Sequence, residues 1–246
     1  MGCVIITGAA GGIGQALVRA FADAGHAVIA TDLIASPPKL RAEHYAVCDL
    51  RRMVIDEVYA LAIVSSIRQS LDGRPLAALV NNAAVQILKS ADALSREDWH
   101  ATLDVNVLAP FFLAQAFLPE LASARGTVLN ISSIHARLTK PSFVAYATSK
   151  AALSAMTRAM AVELGASVRV NAIEPAAIST EMLRAGFAGN LQDYARLENH
   201  HPSGAIGNPD DLARFAVAVT ATPGCFLNGA VLGFDGGIAG RLHDPA

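Results

Sequence analysis

The sequence predicts an α/β protein, a doubly wound parallel sheet of about seven strands with helices on both faces, and three observations predict it. Short apolar runs rich in β-branched residues alternate along the chain with stretches of helical period. The first run, Cys3-Val4-Ile5-Ile6, passes through Thr7-Gly8-Ala9-Ala10-Gly11-Gly12-Ile13-Gly14 into a helical repeat at Ile13, Leu17, Val18 and Phe21. Glycine, polar residues and proline then stand where strands end, at Gly8 to Gly14, Asp32, Asp49, Asn82, Ser133 and Pro175. That edge is where such sheets take ligands.

Length and composition set the bounds. The 246 residues suit one domain, 1–246, with no linker or internal repeat. Hydrophobic residues make up 53% and charged residues 16%, which argues against disorder. A net charge of −2 with 19 scattered basic residues gives no reason to expect a nucleic-acid or anionic-membrane partner. No apolar run reaches membrane-spanning length. Cys3, Cys48 and Cys225 lie far apart in apolar contexts with no metal-ligand spacing, and read as buried thiols of a reducing compartment. The first strand begins at residue 3, leaving no room for a signal peptide, and Ile6 stands where myristoylation wants Ser or Thr. A cytoplasmic protein is expected.

In chain order, the opening strand leads into the glycine turn. Gly8, Gly12 and Gly14 allow a tight turn, a close backbone approach to a ligand, and a helix pressed on the sheet. The free N–H groups and positive dipole end of that helix face an anion, and a pyrophosphate fits the description. Gly25 ends the helix, and Ala27 to Thr31 gives a second buried strand closed by Asp32. Ser36-Pro37-Pro38 makes the connection to the third strand, His44 to Cys48, irregular. A helix from about Val54 to Leu71 ends near Asp72-Gly73, and Leu76 to Val80 is a fourth strand running into Asn81-Asn82-Ala83-Ala84. A long helix from about Arg96 to Leu118 carries Trp99, Leu103, Val107 and Phe111 along one face. Gly126 to Ile131 is the fifth strand, Phe143 to Leu164 a helix and Val168 to Ile173 the sixth strand. Residues 175–209 lack a strand and read as a lid or substrate loop; Pro209-Asp210-Asp211 starts a last helix, and Ala230 to Phe234 is the seventh strand, before Asp235-Gly236-Gly237.

Asp32 stands 18 residues beyond Gly14, where a carboxylate accepts hydrogen bonds from the hydroxyls of an adenosine ribose. It also repels a 2′-phosphate, Leu33 follows it, and no Arg or Lys interrupts the glycine turn, so NAD is expected over NADP. Lys39 and Arg41 are the nearby cations that weigh against this. Tyr146 and Lys150, four apart, share one helix face about a turn apart. An ammonium near a phenol favours the phenolate and brings a group of ordinary pKa about 10 toward neutral working pH. Ser133, 13 residues before Tyr146, supplies a hydroxyl for a substrate oxygen.

Together these residues resemble the short-chain dehydrogenase/reductase family over nearly the whole chain. The resemblance is carried by Thr7-Gly8-x-x-x-Gly12-Ile13-Gly14, Asp32, Asp49-Leu50, Asn81-Asn82-Ala83, Asn106, Ser132-Ser133, Tyr146-x-x-x-Lys150, Asn171-x-x-x-Pro175, Thr180 and Asp235-Gly236-Gly237. It implies a Rossmann-type fold and an oxidoreductase interconverting a secondary alcohol and a ketone by hydride transfer with NAD. It further implies Tyr146 as acid/base, Ser133 as holder of the reacting oxygen, Lys150 on the nicotinamide ribose and on Tyr146, and Asn106 holding a water in a proton relay. Asp49 and Leu50 would lie by the adenine, Asn82-Ala83 by the adenosine side, and Pro175, Ile178 and Thr180 by the nicotinamide. Two departures, Ala84 and Ala176 where the family has Gly, each add a methyl near the pocket.

Gln86 and His135 are substrate candidates, and Arg137, Lys140, Glu174 and Arg184 lie in neighbouring segments, pointing to a polyol, sugar or hydroxy acid. The bland alternative leaves His135 and Arg137 as solvated loop residues, and reads His200-His201 as loop surface with no metal. A catalytically silent, redox-sensing dinucleotide binder of the same fold is the competing function, which has little need of a tuned phenol. A serine hydrolase is disfavoured because no glycine-flanked elbow surrounds Ser133. The small residues Ala145, Ala147, Ala151, Ala152, Ser154 and Ala155 permit close helix packing and, with the resemblance, point to a homotetramer or dimer.

Overall fold

A computed structural model describes residues 2–35, 39–187, 190–222 and 224–242. Ser36-Pro37-Pro38 therefore lies outside the described residues. Among them the strands are β1 (Cys3–Thr7), β2 (Ala27–Asp32), β3 (His44–Val47), β4 (Leu76–Asn81), β5 (Thr127–Ile131), β6 (Arg169–Pro175) and β7 (Val231–Phe234). All pairings are parallel, in the order β3-β2-β1-β4-β5-β6-β7. The order reverses between β1 and β4, so a crevice opens at their carboxyl ends, where the glycine turn leaves β1.

Helices cover both faces: α1 (Gly12–Asp23), α2 (Leu50–Ile55), α3 (Glu57–Ser70), α4 (Arg96–Leu103), α5 (Ala109–Ala116), α6 (Leu118–Ala124), α7 (Val144–Leu164), α8 (Glu181–Gly186), α9 (Leu191–His200) and α10 (Pro209–Ala221). Side-chain alternation on β1 divides the core. Val4 and Ile6 pack with Phe21 of α1 and Leu212 of α10, whereas Cys3 and Ile5 pack with Ile67 of α3 and Leu113 of α5. Arg169, buried at the start of β6, donates to the carbonyls of Val219 and Thr220 at the end of α10 and of Leu227, tying that helix to the sheet.

Several expectations are corrected. The helix expected over Arg96 to Leu118 is broken by a π-turn at Asp104–Leu108, where the Ala109 N–H donates to the Asp104 carbonyl. Pro110 has no N–H to return to the Asn106 carbonyl, which is the local reason that regular helix stops there. The buried side of this segment is Thr102, Asn106, Ala109 and Leu113, while Trp99, Leu103, Val107 and Phe111 are only half-buried. The segment expected from Val54 is two helices, α2 and α3, because Asp56 ends one and its carboxylate caps the next at Tyr59 N. Residues 175–209 hold α8 and α9, and a bridge between Ile178 and Gly207 pairs the two ends of the segment with each other. Cys3 and Cys48 are buried, with burial pushing Cys48 up to about 12, but Cys225 is exposed. His201 is buried rather than on the surface, its Nδ1 bonded to the Leu197 carbonyl at 2.8 Å. No described helix alone is long and apolar enough to cross a membrane.

Candidate active site

The glycine turn is built from backbone that side chains would obstruct. Gly8 has φ +64°, and a Cβ there would stand 2.7 Å from the Ala83 Cα. A Cβ on Gly14 would come within 2.0 Å of the Gly8 carbonyl oxygen, and one on Gly12 within 2.8 Å of the Thr180 methyl. Thr7 Oγ1 accepts from the N–H groups of Asn82 and Ala83, and Asn82 Nδ2 donates to the carbonyls of Thr7 and Gly8. The ends of β1 and β4 are thereby locked together beneath the turn. Ile13 packs into the core beside Leu17, and Thr180 caps α8 by accepting from Leu183 N.

Asp32 ends β2 with one carboxylate oxygen accepting from Ala10 N at 2.9 Å and the other from Leu33 N at 2.7 Å. The residue is only half-buried, so its carboxylate is not closed off by the protein. Asp49 caps α2 through Arg52 N, and Leu50 beside it is buried. A cradle of bare backbone, a helix N-terminus and a rim carboxylate fit the diphosphate and ribose of a nicotinamide dinucleotide.

Ser133, Tyr146 and Lys150 converge beyond the end of β5. Ser133 is extended (φ −165°, ψ 155°) and its Oγ accepts from His135 N at 3.2 Å as the chain enters a short 3-10 turn, Ile134–Ala136. Its hydroxyl lies close enough to the Tyr146 phenol to act on that group's ionisation. Lys150 is 2% exposed; its Nζ lies 5.7 Å from the Tyr146 ring centroid and donates to the Ile131 carbonyl at 2.7 Å. Burial draws Lys150 down to about 7. Burial likewise pushes the Tyr146 phenol up, with the nearby Ser133 hydroxyl opposing. This corrects the expected downward pull of the ammonium: with Nζ turned to Ile131, desolvation is the larger effect on the phenol.

Asn106 sits in the π-turn, fully buried. Its side-chain oxygen accepts from Val85 N at 2.8 Å, and its Nδ2 lies 2.9 Å from both the Val85 carbonyl and Ser149 Oγ. Ser149 in turn donates to the Tyr146 carbonyl. The side chain thus clamps the segment after Asn82-Ala83 to the helix of Tyr146, a role that sequence reading missed. Ser132 faces away from the reacting groups, bonded to the Lys150 carbonyl and to Ser154 Oγ.

Around this centre, the His135 ring stacks on Phe143 at 4.2 Å and meets Tyr146 edge-on at 5.9 Å. Burial, reinforced by Lys140, takes His135 down to about 4, so it is neutral at pH 7. Its buried Nδ1 has no partner within the protein. Gln86, Lys140 and Arg184 are exposed. Arg137 and Glu174 pair with each other. Ala84 is exposed, and Ala176 borders a cavity of 480 Å³ that also touches Ala177, His201 and Asp235. Among the described residues, no group of three His, Cys, Asp or Glu could hold a metal.

The chain and its fold match known proteins over most of their length. The short chain dehydrogenase profile matches residues 2–190. The chain is 32% identical over 242 residues to galactitol 2-dehydrogenase (L-tagatose-forming) of Cereibacter sphaeroides, covering 96% of this chain and 94% of that protein. It superposes on the ligand-free aldohexose dehydrogenase of Thermoplasma acidophilum with a TM-score of 0.91, at 26% identity, covering 100% and 96% of the two chains. A gluconate 5-dehydrogenase of Burkholderia cenocepacia, solved with NADP and tartrate, superposes at 0.85 with 27% identity over 98% and 96%.

Proposed function

We propose, from the premise that this chain belongs to the short chain dehydrogenase family and is an oxidoreductase acting on CH–OH groups, that it interconverts a secondary alcohol and a ketone with NAD. The observation that carries the reading is the meeting of Ser133, Tyr146 and a buried Lys150 beside the glycine turn. A bound dinucleotide supplies the hydride acceptor or donor at its nicotinamide ring. Gly8, Gly12, Ile13, Gly14, Asp32, Asp49, Leu50, Asn82, Ala83, Pro175, Ile178 and Thr180 would hold it, with Tyr146 and Lys150 at its nicotinamide end. In oxidation Tyr146 takes the hydroxyl proton, Ser133 orients the same oxygen, and Lys150, when charged, favours the phenolate. We assign a relay role beyond Tyr146 to the Asn106 turn.

Asp32 supports NAD, because its carboxylate is fixed at the rim by two backbone donors and no Arg or Lys stands in the turn. The Burkholderia enzyme carries NADP, so the two coenzymes must be compared directly. The names of the relatives, with a neutral His135 beside Ser133, support a polyol, sugar or hydroxy acid as substrate. The test is a screen of sugars, polyols, hydroxy acids and simple secondary alcohols with each coenzyme, followed by reduced-nicotinamide absorbance. A higher kcat/KM with NADP would overturn the role given to Asp32, and no turnover of any substrate would overturn the reaction. For assembly we propose a homotetramer or dimer through α5 and α7, supported by Leu108, Phe112 and Val162, which are 38%, 39% and 85% exposed. Sedimentation as a monomer would remove that proposal.

A further inference from the structure

Glu174, at the carboxyl end of β6, is 1% exposed and has no part in the proton transfer above. One of its carboxylate oxygens accepts from Arg137 Nε at 2.6 Å and the other from Ser154 Oγ at 2.8 Å. The two donors belong to the two elements that bear the reacting groups. Arg137 closes the turn that follows Ser133, with its N–H donating to the Ile134 carbonyl. Ser154 lies on α7, one helical turn past Lys150 and two past Tyr146. Ser154 Oγ also meets Ser132 Oγ at 2.8 Å, and Ser132 donates to the Lys150 carbonyl at 3.0 Å.

We propose that Glu174 is a positioning residue: a buried anion that ties the Ser133 turn to the Tyr146 helix and so fixes where the Ser133 hydroxyl stands relative to the Tyr146 phenol. The inference rests on the roles given above to Ser133 and Tyr146. A carboxylate removed from water is costly unless it is paired and hydrogen-bonded. Here both oxygens are engaged, one by a guanidinium, in the short charge-assisted bonds that offset that cost. The tether holds Ser133 from its far side. Ser133 Oγ is already engaged by His135 N at the near end of the turn, so anchoring Arg137 at the other end leaves the turn little freedom. Misplacing a catalytic group by about 1 Å costs on the order of 10² in rate, so even a partial loss of the tether is readable in kcat.

The test is Glu174→Gln, assayed with NAD and the best alcohol from the substrate screen, in the parent and in a Ser133→Ala background. The expected result is about a tenfold loss of kcat with the KM for NAD unchanged, shrinking to less than about twofold when Ser133 is already absent. Hydrogen exchange of the amides of residues 134–138 should quicken in the same variant. Arg137→Gln, an exposed change, should reproduce the effect if Glu174→Gln does not fold, and Arg137→Lys should restore part of it. An equal loss in both backgrounds, or unchanged kcat and exchange with only a lower Tm, would overturn the tether. Full turnover by Ser133→Ala alone would instead overturn the reading of the site itself.

Discussion

Replacing Lys150 by Met should make the protein more stable below pH 7 while removing its activity. Lys150 is 2% exposed, and burial takes its pKa from an ordinary 10.5 to about 7. At about 1.4 kcal/mol per pKa unit, that fall amounts to about 5 kcal/mol against the charged form in the folded chain. Below pH 7 both folded and unfolded chains carry the proton, and the fold bears this penalty in full. Between pH 7 and 10.5 only the unfolded chain keeps the proton, so parent stability rises with pH, and above that range the penalty is gone. Methionine fills a similar length without charge. It forfeits the 2.7 Å bond to the Ile131 carbonyl and orphans that acceptor, a loss of about 1–3 kcal/mol. The net is a gain of roughly 2–4 kcal/mol at pH 6, a Tm rise on the order of 10 °C for a chain of this size. By pH 10 the order should reverse, because only the lost hydrogen bond remains. Thermal unfolding of parent and variant from pH 6 to 10 at constant ionic strength measures both signs. A variant less stable than the parent at pH 6, or a difference that does not change with pH, would refute the argument.

Tyr146→Phe should lower turnover by about 10² to 10⁴ while leaving dinucleotide affinity intact, measured by nicotinamide absorbance and by titration of bound coenzyme. Gly14→Ala should abolish coenzyme uptake, because its Cβ would meet the Gly8 carbonyl oxygen at 2.0 Å and the turn cannot close around it; a calorimetric titration matching the parent would contradict this. Asn106→Leu should cost about 1–3 kcal/mol in denaturant unfolding, since it takes the partner from the N–H and carbonyl of half-buried Val85. Parent-like stability would show that these groups find other partners.

Chemistry carried by short spacings was legible in the chain. Tyr146 and Lys150 four apart on a helix, Ser133 at a strand end and glycines at 8, 12 and 14 all follow from local geometry that any context preserves. A parallel sheet covered on both faces needed little more, because alternating strands and helices leave few right-handed ways to pack, while the order of its strands is read from the structure. What escaped was decided by partners distant in sequence. Glu174 meets Arg137 across 37 positions, and both read singly as substrate-facing charges. Asn106 spends its amide on Val85 and Ser149, inside a helix whose break the side-chain period does not reveal.

By itself, then, the sequence determined the sheet, the glycine turn and the placing of Tyr146 and Lys150 on one helix, since each depends on dihedral preference and periodicity within a few residues. Tertiary structure alone decided their electrostatics and alignment. The phenol of Tyr146 is pushed up and the amine of Lys150 down because desolvation depends on every atom packed around them, and chain order does not state who those neighbours are.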